Sequence, residues 1–216
     1  MRVVRTLHGF GNAWPVMPLA SDLPVDAIEA DAWIVRGVAI LQHARPVGAL
    51  PLALHTRGLA IGRGRATLTD LLAALAPERT LLLDLRAWFN DPAPDLYSAL
   101  AQLSAGSSPD VVLTCESWGL AERLAAWMPE RRIAYSVRSE SQLRRYVEGR
   151  AAGALPPLGV AVRHSLLHDR GDLEALQRYA PRVAAWTVDD VARARDLAAW
   201  GVDEVVSNHI EVLAAL

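Results

Sequence analysis

The chain has 216 residues, 52% hydrophobic and 21% charged, with a formal net charge of −2. That length and balance fit one folded core, and they exclude a disordered chain and a general electrostatic affinity for nucleic acid. Its single cysteine, Cys115, excludes an internal disulfide framework and a multi-cysteine zinc site, and is expected to pack as a small apolar side chain.

All 22 basic residues are arginine. This removes Schiff-base chemistry and a Walker-type phosphate loop, both of which need a lysine amine. MRVVRTLHG at the start has too short an apolar run for a signal peptide, and no window approaches the ~20 apolar residues of a membrane span. A cytoplasmic protein with no transmembrane segment is the expectation.

Short apolar runs recur along the chain with helix-like stretches between them. RVVRTLH (2–8) reads as a first strand, AIEADAWIV (27–35) as a second, and VAILQH (38–43) as a return strand across Arg36-Gly37. TLLLDLR (80–86), VVLTC (111–115), RRIAYSV (131–137), PLGVAVR (157–163), RVAAWTV (182–188) and DEVVS (203–207) complete eight besides the return strand. Each is nearly continuous in apolar residues, as strands buried on both faces are. The intervening segments 67–77, 96–106, 117–129, 139–153, 171–181 and 188–201 read as helices, several with a cap residue before them and Gly or Pro after. Regular alternation implies a parallel sheet, and eight strands in this length favour a single (β/α)₈ TIM barrel spanning 1–216. The irregular stretch 44–66 reads as a rim loop, where Arg57, Arg63 and Arg65 either greet an anionic head group or only aid solubility.

In such a barrel the chemistry sits at the C-terminal ends of the strands. Here those ends are polar: His8, Glu29 and Asp31, His43, Asp84 and Arg86, and Trp186. Glu29 and Asp31, two apart in a strand, face the same way, and like charges on an inward face are costly without a cation between them. Glu29, Asp31 and Asp84 form an oxygen donor set that suits Mg²⁺ or Ca²⁺. The spacing leaves a second reading open, in which Arg86, on the same face as Asp84, pairs with the carboxylates instead. His8 and His43 suit general acid–base work, because imidazole titrates near neutral pH. Trp186, Trp33 and Trp118 either pack in the core or wall a bound group at this end of the barrel. His164 and His168 have i, i+4 spacing but no further ligand nearby in sequence.

His8-Gly9, Glu29-Ala30-Asp31, His43, LLLDLR (81–86) and AWTVDDVARARDLAAWGVDEVVSN (185–208) together resemble the glycerophosphodiester phosphodiesterase family. Its pattern runs H-R-G, E-x-D-V, a histidine followed by aspartate, E-x-K, W-T-V-N and G-V-D-G-I-I-T-D. The resemblance implies a (β/α)₈ barrel that cleaves glycerophosphodiester or glycerophospholipid-like substrates with a divalent cation, Mg²⁺ or Ca²⁺. It implies Glu29, Asp31 and Asp84 as metal ligands, His8 and His43 as the acid–base pair, and Arg86 beside the phosphate in place of the family's lysine. The departures are Gly9 for arginine, Ala44 for aspartate, Asp84 for glutamate, Glu204 for glycine and Asn208 for aspartate. The first helix is cut to little more than MPLASDL (17–23), and the family's small insert is largely absent. The spider-venom phospholipase D branch of the superfamily is similar in lacking that arginine, in ending the third strand D-L-K, and in carrying an asparagine soon after its first histidine. That similarity places Asn12 with the substrate-binding residues. The missing clamp and orienting groups leave an alternative: a catalytically impaired barrel that binds a phosphorylated ligand or a partner protein.

Overall fold

The apolar runs become the staves of a closed barrel. In the computed structural model, which describes residues 2–13, 23–46, 52–55, 58–61, 66–86, 94–103 and 110–216, the strands are β1 (Val4–Leu7), β2 (Ala27–Val35), β3 (Val38–Leu41), β4 (Arg45–Pro46), β5 (Leu52–His55), β6 (Gly58–Ile61) and β7 (Ala66–Thr67), followed by β8 (Thr80–Leu85), β9 (Asp110–Cys115), β10 (Arg132–Val137), β11 (Gly159–Arg163), β12 (Val183–Trp186) and β13 (Glu204–Ser207). The helices are α1 (Leu68–Ala74), α2 (Pro94–Leu100), α3 (Trp118–Trp127), α4 (Glu140–Ala151), α5 (Arg170–Gln177), α6 (Val191–Trp200) and α7 (Ile210–Ala214).

Eight parallel strands run in the order β1-β13-β12-β11-β10-β9-β8-β2, and β1 pairs with β2 to close the ring. This is the expected α/β barrel. The antiparallel β3 returns along the overhang of β2, and β7 pairs with β3. The stretch expected as an irregular rim loop instead carries a small antiparallel sheet, β4-β5-β6. Its strands pair with one another, and Pro46, Gly48 and Pro51 interrupt the apolar residues around them, so the stretch carries the signals of a loop. Arg57, Arg63 and Arg65 lie outside the described residues, as does most of the expected short first helix, 17–22.

Strand alternation sorts the side chains. Leu81, Leu83 and Leu85 point out of the barrel into the core beneath the helices, while Leu82 and Asp84 point into the lumen. The lumen holds a separate, small apolar cluster of Leu82, Val112 and Val206, with Trp186 against it. Below it Glu204 is buried, accepts from Thr6 Oγ1 at 2.5 Å and pairs with Arg182 Nη2 at 3.1 Å. Glu204, a departure from the family's glycine, therefore belongs to the lower lumen rather than to the mouth.

Candidate active site

Parallel register brings the polar strand ends to one level. Asp31 lies opposite Asp84, and Asp84 opposite Thr114, so all three face the lumen near its C-terminal mouth. A cavity of about 290 Å³ opens there, lined by His8, Glu29, His43, Asp84, Arg86, Thr114, Arg138, Arg163 and Trp186 among others. That is near the lower end of the ~300–1,000 Å³ usual for small-molecule pockets.

Arg86 lies against Asp31 and Asp84, as the second reading of the spacing expected. Its Nε donates to Asp31 Oδ1 at 2.7 Å and lies 3.1 Å from Asp84 Oδ2. Its Nη1 donates at 2.9 Å to Glu116 Oε1, a partner the sequence reading missed. Glu116 follows Thr114 by two, and that parity was the available signal. Asp31 is fully buried, and its other oxygen accepts from Asn12 Nδ2 at 2.7 Å and lies 2.9 Å from His43 Nδ1. Burial alone would raise the Asp31 carboxyl, but the His43 hydrogen bond and the Arg86 charge outweigh it and hold it down at about 2. Asn12 also accepts from the Asp31 backbone N at 3.0 Å, so it positions a carboxylate and does not line the cavity.

Glu29 is in a different position. It is 4% exposed and accepts from Gly9 N at 2.6 Å. Among the described residues its one ion-pair neighbour is His8 Nε2 at 3.7 Å; no arginine reaches it. Burial and then the neighbouring Asp31 charge push its carboxyl well above the usual range. Asp84 is likewise raised by burial, against the pull of Arg86. Gly9, where the family has arginine, has φ +67, and that left-handed backbone turns its N–H onto Glu29.

Glu29, Asp31 and Asp84 each offer an oxygen within 4.8 Å of the others, the only such group of three among the described residues. Hard oxygen donors and an undercompensated buried Glu29 fit a divalent cation. Arg86 thus serves Asp31 and Asp84, while Glu29 has no arginine partner among the described residues.

The histidines are held differently from one another. His8 Nδ1 lies 2.7 Å from Asn208 Oδ1, while Asn208 Nδ2 donates to Asp189 Oδ2 at 2.7 Å and Asn208 N donates to Asp189 Oδ1 at 2.9 Å. A carboxylate can only accept, so the Asn208 amide faces one way, its oxygen towards His8. The His8 proton then sits on Nδ1 and leaves Nε2 to the cavity. His43, whose following residue is Ala44 rather than aspartate, is oriented by Asp31, and that hydrogen bond raises its pKa.

Trp186 lines the cavity with two guanidinium carbons over its ring, Arg138 at 5.4 Å and Arg163 at 5.7 Å. Trp118 does not line this cavity: it opens α3 and is buried against Tyr135 of β10 and Tyr146 of α4, its Nε1 donating to Ser136 O. Trp33 pairs across to Ile40 on the β2 overhang and is absent from the cavity lining. His164 starts a 3-10 turn and His168 pairs with Asp172 at 3.1 Å, so the two do not share an α-helical face. Cys115 is buried, as expected.

No protein-family model and no curated protein matches the sequence. Solved structures do match over nearly the whole chain. The crystal structure of a glycerophosphodiester phosphodiesterase from Thermotoga maritima aligns with TM-score 0.69 and 11% identity, covering 98% of this chain and 97% of that one. A phosphodiesterase from Oleispira antarctica, in complex with the product sn-glycerol-3-phosphate, aligns with TM-score 0.70 and 14% identity over 98% and 96%. A glycerophosphodiester phosphodiesterase from Parabacteroides distasonis gives 0.72 and 14% over 98% and 94%. At such identities the likeness is one of fold.

Proposed function

We propose that the chain is a metal-dependent phosphodiesterase acting on glycerophosphodiester-like substrates. One observation carries the reading: at the C-terminal mouth of the barrel, His8 and His43 each stand beside one carboxylate of the Glu29–Asp31 pair. The product in the Oleispira structure supports a glycerol phosphate ester as substrate class.

Glu29, Asp31 and Asp84 would hold the cation, Mg²⁺ or Ca²⁺, which supplies positive charge to a phosphate oxygen as negative charge builds. Arg86 has five N–H donors, and those not engaged by Asp31, Asp84 and Glu116 remain for a second phosphate oxygen. His8, with its proton on Nδ1, takes the nucleophile's proton at Nε2. His43, held by Asp31 and with its pKa raised, delivers a proton from Nε2 to the leaving oxygen. The nucleophile is water or a neighbouring hydroxyl of the substrate. Trp186 walls the leaving alcohol.

A second reading rests on Arg86. Because it already neutralises Asp31 and Asp84, the barrel could bind a phosphorylated ligand without turnover.

Phosphorus NMR on a panel of glycerophosphodiesters and lysophospholipids separates the two. Metal-dependent turnover that chelator removes and His8→Ala abolishes is expected, and the product's shift tells hydrolysis from cyclic phosphate. Thermal unfolding tests the cation directly. A cation at a hundredfold its dissociation constant adds about 2.7 kcal/mol to stability, roughly 5–10 °C for a chain of this length. Glu29→Gln should lose that rise. A cation-induced rise with no turnover on any substrate would favour the ligand-binding barrel; no rise and no turnover would sink the metal-dependent reading.

A further inference from the structure

Two arginines at the mouth have no part in the reaction as derived. Val137 is in register with Val162 and Arg163 with Trp186, so Arg138, Arg163 and Trp186 follow one another around the rim at the ends of β10, β11 and β12. All three line the cavity, and both guanidiniums lie over the indole. Arg138 pairs with Glu116, the carboxylate that also serves Arg86. Arg163 is exposed, lies over the Trp186 ring and makes no ion pair with a carboxylate among the described residues.

We propose that Arg163, seconded by Arg138, binds a second anionic group on the substrate, so that the enzyme selects phosphodiesters whose head group carries a carboxylate or phosphate. The assignment rests on the phosphodiesterase reading of the cavity and names its substrate class. Arg138 already has Glu116 as a partner, so the charge that an anion between the two guanidiniums would pair is chiefly that of Arg163. Guanidinium is a planar fork that matches carboxylate and phosphate oxygens in pairs. The same pair argues against a choline head group. An aromatic face attracts a quaternary ammonium when it is free, whereas here two cations already lie over the ring. The metal-binding carboxylates and Arg86 take the scissile phosphate, and the arginines at Trp186 take the far end of the molecule.

Calorimetric binding of three phosphomonoesters to the Mg²⁺-supplied protein tests this without relying on turnover. sn-Glycerol 3-phosphate, 3-phosphoglycerate and phosphocholine share a phosphate and differ in carrying a hydroxyl, a carboxylate or a quaternary ammonium at the far end. One charge-assisted hydrogen-bonded pair is worth about tenfold in affinity. So 3-phosphoglycerate should bind about tenfold tighter than glycerol 3-phosphate, with phosphocholine the weakest. Arg163→Gln should collapse the carboxylate preference, and Arg163→Lys should restore part of it. Equal affinities, no binding of 3-phosphoglycerate, or an order unchanged in Arg163→Gln would overturn the assignment. Turnover with no such order would sink this assignment and leave the phosphodiesterase reading standing. The expected order without turnover would do the reverse.

Discussion

His8 carries its proton on Nδ1 because Asn208 offers it only an oxygen, and Asn208 cannot turn over because Asp189 holds its NH₂. Replacing Asn208 by alanine frees the imidazole to rotate and to change tautomer. Groups that orient a catalytic or ligating side chain typically cost about ten- to a hundredfold when removed. Asn208→Ala should therefore lower kcat by that factor. Because Asn208 is exposed, the melting temperature should move little. A kcat within twofold of wild type would mean that His8 is not the base. In the sequence Asn208 reads only as a departure from the family's aspartate, and its role became visible when β13 put it beside β1. His8 and the carboxylates were legible earlier because they stand inside apolar runs, where a charged group needs a reason. Glu116 stands at a strand exit, where polar residues are ordinary, so its parity with Thr114 was all that marked it.

At the scale of elements, all eight barrel strands were legible. A strand buried on both faces leaves a continuous apolar run that few other structures require. The helix ends were legible where a cap marks them. Asp190 accepts from Arg193 N at 2.7 Å and starts α6 three residues after the expected onset, because Val188 N still bonds to the sheet at Val206 O. The rim sheet was not legible, since Pro46, Gly48 and Pro51 stand among its apolar residues and read as turn signals. α1 is a short helix that leans on its cap. Thr67 Oγ1 accepts from Asp70 N at 3.2 Å, and the Asp70 carboxylate accepts from Thr67 N at 3.2 Å. Removing such a cap costs about 1 kcal/mol, which in a chain of this size is roughly 2–4 °C. Thr67→Ala should lower the melting point by that amount, and Thr67→Ser should not; an unchanged Thr67→Ala would show that Leu68 and Leu71, both fully buried, hold α1 without it.

The molecule as a whole is packed unevenly, and the unevenness follows strand parity. Barrel interiors are usually filled by layers of bulky branched side chains. Here the inward positions of β10 to β12 include Ala134, Ser136, Gly159, Ala161 and Ala184, and a cavity of about 650 Å³ opens beneath the mouth, bounded in part by Ala134, Gly159, Ala161 and Ala184. Leu82, Thr114 and Ala161 line both this cavity and the one at the mouth. Ala184 lines only the lower one, and its neighbour Ala185 points the other way, fully buried in the core under the helices. The two alanines therefore predict opposite outcomes from the same substitution. Ala184→Val adds two carbons to open lumen, at about 0.8 kcal/mol per buried CH₂, and should raise the melting point by about 3–6 °C with turnover unchanged. Ala185→Val forces the same carbons into filled space, where overpacking costs about 1–3 kcal/mol, and should lower it. Thermal unfolding of the two variants side by side decides the matter. If both lower the melting point, the lumen is as full as the outer core, and the two cavities are not steps along one underfilled barrel axis.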